Sequence, residues 1–182
     1  MLTNIKLQNY SNAISQLTQA LLLNPDNSDI YFNLGIAYKN TKRYIQAMDA
    51  FNRSVKLFPQ NGMAFYNLGI IYESILKTDQ AIQSYKKAKQ YSPDIIDVNL
   101  RLGMLLYKNE NYYESMEPLR EYIIFNPDSI NVLIALGDVF IDQLRFQADQ
   151  DLPQFFLILT LNAPYLQYNF FLLKCHFNEI KF

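Results

Sequence analysis

Glycine recurs at a fixed interval along this 182-residue chain, and that interval constrains the fold more than any other feature. Four of the five glycines lie 34 residues apart, at Gly35, Gly69, Gly103 and Gly137, and a leucine precedes each of them. A period of this length is typical of arrays in which each repeat is a small supersecondary unit packed on its neighbours. The sequence therefore predicts a repeat array rather than a domain with one central core.

Each repeat has the pattern of two helices. In the first complete repeat, apolar residues at spacings of three and four predict one helix over about Ser28–Asn40 and a second over about Tyr44–Leu57. Glycine inside a helix costs roughly 0.5–1 kcal/mol relative to alanine, so its recurrence indicates a close helix crossing. The second helix supplies a small residue in the same column of three repeats: Ala47, Ala81 and Ser115. Here a column is a position at a fixed offset from the glycine of its repeat.

The 34-residue period divides the chain into a single predicted array over residues 1–182. Its parts are a partial repeat at 1–27, full repeats at 28–61, 62–95 and 96–129, a divergent repeat with a three-residue insertion at 130–166, and a terminal half-repeat helix at 167–182. Proline ends the full repeats because it cannot donate the next helical hydrogen bond. Pro118 falls inside a second helix, so we expect a kink or a late start there.

These columns resemble the tetratricopeptide repeat family, whose signature is an aromatic residue, Leu-Gly, Tyr, then Ala, Phe and Pro. The match is strongest in residues 28–95 and weaker in 96–129, where Asn99 takes the aromatic column. The resemblance implies an all-α fold, a right-handed α–α superhelix or solenoid of helix-turn-helix repeats. Within the family, the repeats are most similar to generic arrays and to the array of O-linked N-acetylglucosamine transferase.

Residues suited to catalysis or to metal binding are scarce. His176 is the only histidine and Cys175 the only cysteine, and neighbours on a helix point about 100° apart. A thiolate–imidazole pair, a disulfide and a multi-cysteine metal site are therefore not expected. No glycine-rich phosphate loop is present. We predict a protein that is not an enzyme, with no cofactor and no metal.

Charge and hydropathy argue against nucleic acid and membranes as partners. Sixteen basic residues face seventeen acidic ones, which leaves no strong global field. The amino terminus lacks the pattern of a secretory signal, and polar residues and prolines interrupt the most apolar stretch, 152–173. With a lone cysteine, these features predict a cytoplasmic protein without membrane insertion, and a nuclear location stays open.

The resemblance implies that the first helices line a concave groove that holds a peptide or a protein partner. Offsets from the glycine give the candidate binding residues: Phe32, Asn33, Ile36, Tyr66, Asn67, Ile70, Leu100, Arg101, Met104 and Ile134. The apolar members predict a stripe suited to the apolar face of a helix or to an extended apolar motif. The two asparagines suit an amide ladder that holds a peptide backbone. The alternative is that another segment, such as the apolar tail, fills the stripe.

The sequence is compatible with three functions. The first is a non-catalytic protein–protein interaction scaffold, and the second is the substrate-selecting region of a larger enzyme such as a glycosyltransferase. The third, a chaperone adaptor with a carboxylate clamp, is disfavoured because the clamp columns hold Phe32, Ile36 and Asp97.

The last segment, 169–182, has apolar residues on several sides of its predicted helix. It either belongs to a longer array, docks on a partner or a second copy of the chain, or departs from the natural reading frame. Self-association or assembly into a larger complex through this helix is therefore one expectation.

Overall fold

The computed structural model describes residues 2–148, with side chains described for 9–143. Within this range the chain forms eight α-helices and no strand, which confirms the predicted all-α class of helix-turn-helix repeats. The helices are α1 Leu2–Leu23, α2 Ser28–Asn40, α3 Tyr44–Leu57, α4 Gly62–Ser74, α5 Thr78–Tyr91, α6 Ile96–Lys108, α7 Tyr112–Phe125 and α8 Ile130–Ala148. The end of the divergent repeat, the terminal half-repeat, Cys175 and His176 lie outside the described residues.

The chain divides into two compact units, Met1–Leu102 and Gly103–Phe182, and the division falls within α6. In the first unit, the two helices predicted for the first complete repeat begin and end at the predicted residues. The other repeat boundaries stay predictions.

The recurring glycines allow the two helices of a repeat to cross closely. A Cβ atom added to Gly35 would lie 2.5 Å from the ring of Phe51, and one added to Gly69 would lie 2.4 Å from the ring of Tyr85. Carbon atoms in contact are normally about 3.5–4.0 Å apart, and both rings are fully buried. The aromatic ring of the second helix therefore occupies the space that the missing side chain leaves.

The turn between the two helices of a repeat has the same backbone conformation three times. Lys42, Leu76 and Glu110 each have a positive φ of about 60°. In the first of these turns, the Arg43 amide donates to the Tyr38 carbonyl at 2.9 Å, as in a Schellman motif. Glycine usually takes this position, so each of these side chains holds a backbone conformation that costs roughly 1–2 kcal/mol.

Pro118 does not delay the helix in which it lies. Helix α7 begins at Tyr112, six residues before the proline, so the expected late start is wrong. Pro118 and Leu119 are both buried, and this packing compensates for the one hydrogen bond that the proline cannot donate. The alternative, a kink at Pro118, stays a prediction.

Candidate functional site

The first helices of successive repeats in the first unit are joined by hydrogen bonds. The Lys39 Nζ of α2 donates to the Asn67 Oδ1 of α4 at 2.6 Å. The Arg101 Nη1 of α6 donates to the Glu73 Oε2 of α4 at 3.3 Å. Both bonds connect the residue four positions after one glycine with the residue two positions before the next. We call the surface that α2, α4 and residues 96–102 of α6 share the first-helix face.

Two carboxylates on the first-helix face are held by shared donors. Asp97 Oδ2 accepts a hydrogen bond from the Tyr66 hydroxyl and a second from Arg101 Nε at 2.8 Å. Glu73 Oε2 accepts from Arg101 and from the Tyr85 hydroxyl, the latter at 2.7 Å. One guanidinium thus pairs with both carboxylates.

The pKa values follow from burial and from these bonds. Burial favours the neutral form of Asp97, but the hydrogen bonds from Tyr66 and Arg101 and the charge of Arg101 outweigh it, so the Asp97 pKa is lowered. Burial and the bond to Asp97 raise the Tyr66 pKa, and burial and the bond to Glu73 raise the Tyr85 pKa. At neutral pH the network therefore contains a charged Asp97–Arg101 pair.

Lys39 differs from the other charged groups because it gains no carboxylate in the network. Its ammonium donates to a neutral amide, and burial together with the positive charge of Arg101 lowers its pKa. The cation is held by a neutral oxygen acceptor beside another cation.

The two candidate asparagines lie in different environments. Asn33 is exposed, whereas Asn67 is only 2% exposed. Asn67 accepts from Lys39 and donates its Nδ2 to the Met63 carbonyl at 2.7 Å. Helix α2 thus covers Asn67 through the hydrogen bond that Lys39 donates. Among the described residues, no first helix precedes α2 that could cover Asn33 in the same way. Although the Asn67 amide keeps a second donor and a second acceptor site, its burial hides them from a peptide in an amide ladder, and Arg101 is already paired with Asp97 and Glu73.

The candidate aromatic residues of the first unit contribute to the core as well as to the face. The Phe32 ring lies 5.8 Å from that of Phe51, and the Tyr66 ring lies 6.2 Å from that of Tyr85. Both are half-buried, which leaves part of each ring open to solvent. The other apolar candidates of this unit are also half-buried: Ile36, Ile70 and Leu100.

The two remaining candidates belong to the second unit. Met104 is half-buried on α6, and Ile134 of α8 is 52% exposed. Nearby in sequence, the Tyr107 hydroxyl donates to Asp138, and this bond together with burial raises the Tyr107 pKa to about 12.

Four residues of the polar network were not among the predicted binding residues: Lys39, Glu73, Tyr85 and Asp97. A sequence signal for one of them exists, because Glu73 and Arg101 carry opposite charges in columns that meet across consecutive repeats. Tyr85 has no such signal, since its column is that of a core aromatic residue.

A cavity of about 500 Å³ opens between α1 and α2 in the first unit. Tyr10, Ala13 and Leu17 line its α1 side, and the candidates Asn33 and Ile36 line its α2 side. The candidate residues of the first repeat thus border a recess that α1 helps to form.

The described residues include neither a metal-binding cluster nor a membrane-spanning helix. In that part of the chain, no group of three or more His, Cys, Asp or Glu side chains could hold a metal ion. None of its helices combines the length and the apolar character that crossing a membrane requires.

Family models match the first half of the chain. Tetratricopeptide repeat models match residues 28–61 and 64–95, and a TPR repeat model matches residues 5–42. The chain contains tetratricopeptide repeats. These matches identify the repeat in general and do not single out the array of any one enzyme.

Solved tetratricopeptide repeat structures share the fold at low sequence identity. MamA is 20% identical with a TM-score of 0.65, and the match covers 75% of this chain and 80% of MamA. YrrB, described as a TPR protein with an unusual peptide-binding site, is 18% identical with a TM-score of 0.66, covering 78% and 74%. The Arabidopsis OM64 TPR domain is 20% identical with a TM-score of 0.54, covering 62% and 93%. No curated protein matches the sequence significantly.

Proposed function

We propose that this chain is a non-catalytic interaction scaffold whose first-helix face binds an apolar peptide or the apolar side of a partner helix. The observation that carries the proposal is that the polar groups of that face bond to one another, whereas its apolar side chains are partly exposed. Arg101 pairs with Asp97 and Glu73, and Lys39 donates to Asn67, while Ile36, Ile70 and Leu100 remain partly open to solvent. Partly exposed apolar side chains beside satisfied polar groups favour an apolar ligand over a charged one.

Each predicted binding residue has a role in this proposal. Phe32 and Tyr66 supply aromatic edges, and Ile36, Ile70 and Leu100 supply aliphatic contact. Asn33 offers an exposed amide to a peptide backbone, whereas Asn67 and Arg101 hold the helices in place. Met104 and Ile134 belong to the second unit and stay candidate binding residues there.

Of the two other functions, the chaperone adaptor fits the first-helix face less well, and the substrate-selecting region would use that face too. A chaperone adaptor needs cations for a carboxylate, but Arg101 already pairs with Asp97 and Glu73, and Asn67 is buried. A substrate-selecting region of a larger enzyme, such as a glycosyltransferase, would use the first-helix face in the same way. A cytoplasmic or nuclear location, and partners other than nucleic acid, remain part of the proposal.

Selection from a displayed library of random peptides tests the proposal. The full chain is the bait, and each selected peptide is then titrated against Ile70→Asp and against the control Ile45→Asp. Ile45 lies on the second helix α3 and is 74% exposed, so the same substitution there leaves the first-helix face unchanged. We expect Ile70→Asp to abolish binding and Ile45→Asp to preserve it, with equal helicity by circular dichroism. Peptides that bind both variants as well as they bind the wild type would contradict the proposal.

Self-association through the apolar segment 167–182 is a separate part of the proposed function. It concerns residues outside the described part of the chain and does not depend on ligand binding at the first-helix face.

A further inference from the structure

Among the described residues, Lys39 is the cation of the first-helix face that bonds to an amide and not to a carboxylate. Its ammonium donates to the neutral oxygen of Asn67, 2.6 Å away. Arg101, in contrast, pairs with the carboxylates of Glu73 and Asp97. Lys39 lies in the last turn of α2, where the helix dipole offers about half of a unit negative charge. The charge of Lys39 is therefore offset only in part.

The surroundings of Lys39 disfavour its charged form. Burial and the positive charge of Arg101 lower the Lys39 pKa. The third carboxylate on the helices of this face, Asp29, lies in the first turn of α2, about 15 Å along the helix from Lys39. A partly buried cation that lacks a nearby anion gains more from an anionic group of a ligand than from a neutral one.

The Lys39 ammonium can bond to a ligand while it keeps its bond to Asn67. An ammonium carries three N–H donors, and Asn67 accepts one of them. Lys39 is half-buried, so part of its side chain is open to solvent. Asn67 is 2% exposed and is fixed by a second bond, from its Nδ2 to the Met63 carbonyl. Asn67 thus holds the Lys39 side chain in place, which reduces the entropy that binding an anion would otherwise lose.

Two apolar residues of the proposed ligand site lie next to this cation in the helical repeat. Ile36 lies one turn before Lys39 on α2, and Ile70 lies one turn after Asn67 on α4. Residues three apart on a helix share a face, and both isoleucines are half-buried. A carboxylate bound to Lys39 would therefore have an apolar residue near it on each helix. An acidic side chain inside an apolar segment matches this arrangement.

We propose that Lys39 determines the specificity of the first-helix face by binding one Asp or Glu side chain of an otherwise apolar peptide. The inference rests on the proposed function, because it concerns the ligand of the same face, and it adds the one charge that this ligand carries. The site differs from a carboxylate clamp, because Lys39 lies outside the clamp columns. Those columns hold the apolar Phe32 and Ile36 and the acidic Asp97.

Peptides selected by the full chain from the displayed random library test the inference. The peptides used are those whose binding Ile70→Asp abolishes. We expect these peptides to share one acidic position. Replacing that acid by its amide, Asp by Asn or Glu by Gln, should weaken binding to the wild-type chain about 5–20-fold, since the ammonium then loses a charged hydrogen-bond partner. Isothermal titration calorimetry measures the affinities.

A double-mutant cycle assigns this loss to Lys39. Lys39→Gln removes the charge but keeps an N–H donor for Asn67. Lys56→Gln is the control, because it removes the same charge from an exposed position on the second helix α3. The acid-to-amide exchange in the peptide should weaken binding to Lys56→Gln as it does for wild type, and should change binding to Lys39→Gln by less than about twofold. Circular dichroism checks that both variants keep their helicity.

A measurement on the wild-type chain keeps the test decisive even if Lys39→Gln fails to fold. Lysine Cε NMR shifts followed over pH give the pKa of Lys39 with and without each peptide. A carboxylate beside an ammonium raises the pKa of the ammonium. The acidic peptide should therefore raise the Lys39 pKa more than its amide counterpart does, and equal effects of the two peptides would contradict the inference.

Failure of the inference is distinct from failure of the proposed function. Selected peptides that bind Ile70→Asp as well as they bind the wild type would overturn both. Peptides that depend on Ile70 but have no shared acidic position, or lose no affinity in the acid-to-amide exchange, would overturn the inference alone. The same holds if the exchange weakens binding equally for the wild type and for Lys39→Gln.

Discussion

Replacing Gly69 by alanine tests whether the repeating glycine exists for packing. The added Cβ would lie 2.4 Å from Cε1 and 2.6 Å from Cδ1 of Tyr85, so ring and helix must separate by about 1 Å to reach ordinary contact. Tyr85 is fully buried and its hydroxyl is bonded to Glu73, so the ring has little freedom to move away. Overpacking of this kind lowers the free energy of unfolding by about 1–3 kcal/mol. The higher helix propensity of alanine offsets about 0.5–1 kcal/mol of this loss.

The net expectation is a loss of about 1–2 kcal/mol in the free energy of unfolding, which lowers the melting midpoint by roughly 2–8 °C. Thermal and urea unfolding followed by circular dichroism measure this. The same substitution made in a Tyr85→Ala background should be neutral or stabilising, because the ring that it meets is gone. If Gly69→Ala leaves the wild-type midpoint unchanged or raises it, the packing explanation for the 34-residue glycine column is wrong.

Three further predictions concern the turns and the polar contacts of the first unit. Leu76→Gly should raise the free energy of unfolding by about 0.5–1 kcal/mol in urea melts, since Leu76 is 89% exposed and has a positive φ; a loss would contradict this. Asp97→Asn should lower stability at neutral pH by at most about 1 kcal/mol, given its partial exposure. Because the Asp97 pKa is lowered, its contribution is present above pH 3.8 and is lost as the pH falls through the lowered pKa; a wild-type–variant difference that persists in acid would refute this. Asn67→Ala, which leaves Lys39 without its acceptor, should cost about 1–3 kcal/mol, whereas Asn33→Ala at the matching column should cost close to nothing, and equal losses would be inconsistent with their different burial.

Much of the fold is predictable because its signals are local or periodic. The glycine column and the spacing of apolar residues give the helices of the first complete repeat to the residue. The turn conformation at Lys42, Leu76 and Glu110 is not predictable in this way, since none of these residues is a glycine or an asparagine. Their positive φ follows from the closing hydrogen bonds of the preceding helix, which a composition signal does not reveal.

The candidate site is less predictable because its polar groups depend on neighbours in other repeats. Asn33 and Asn67 are the same residue type in the same column, yet Asn33 is exposed, whereas Asn67 is buried and accepts a hydrogen bond from Lys39. The difference arises from what precedes each helix and not from the helix itself. The opposite charges of Glu73 and Arg101, in contrast, could have been paired from the sequence once the repeat register was known.

Binding at the first-helix face is tested most directly by isoleucine methyl NMR of the full chain during titration with a peptide selected from the displayed library. Ile36 and Ile70 are half-buried on the first helices α2 and α4, whereas Ile45 and Ile124 are 74% and 66% exposed on second helices. We predict progressive shifts or broadening for Ile36 and Ile70, with Ile45 and Ile124 unchanged. Shifts confined to Ile45 or Ile124 would place the ligand on the second helices and contradict the proposed function.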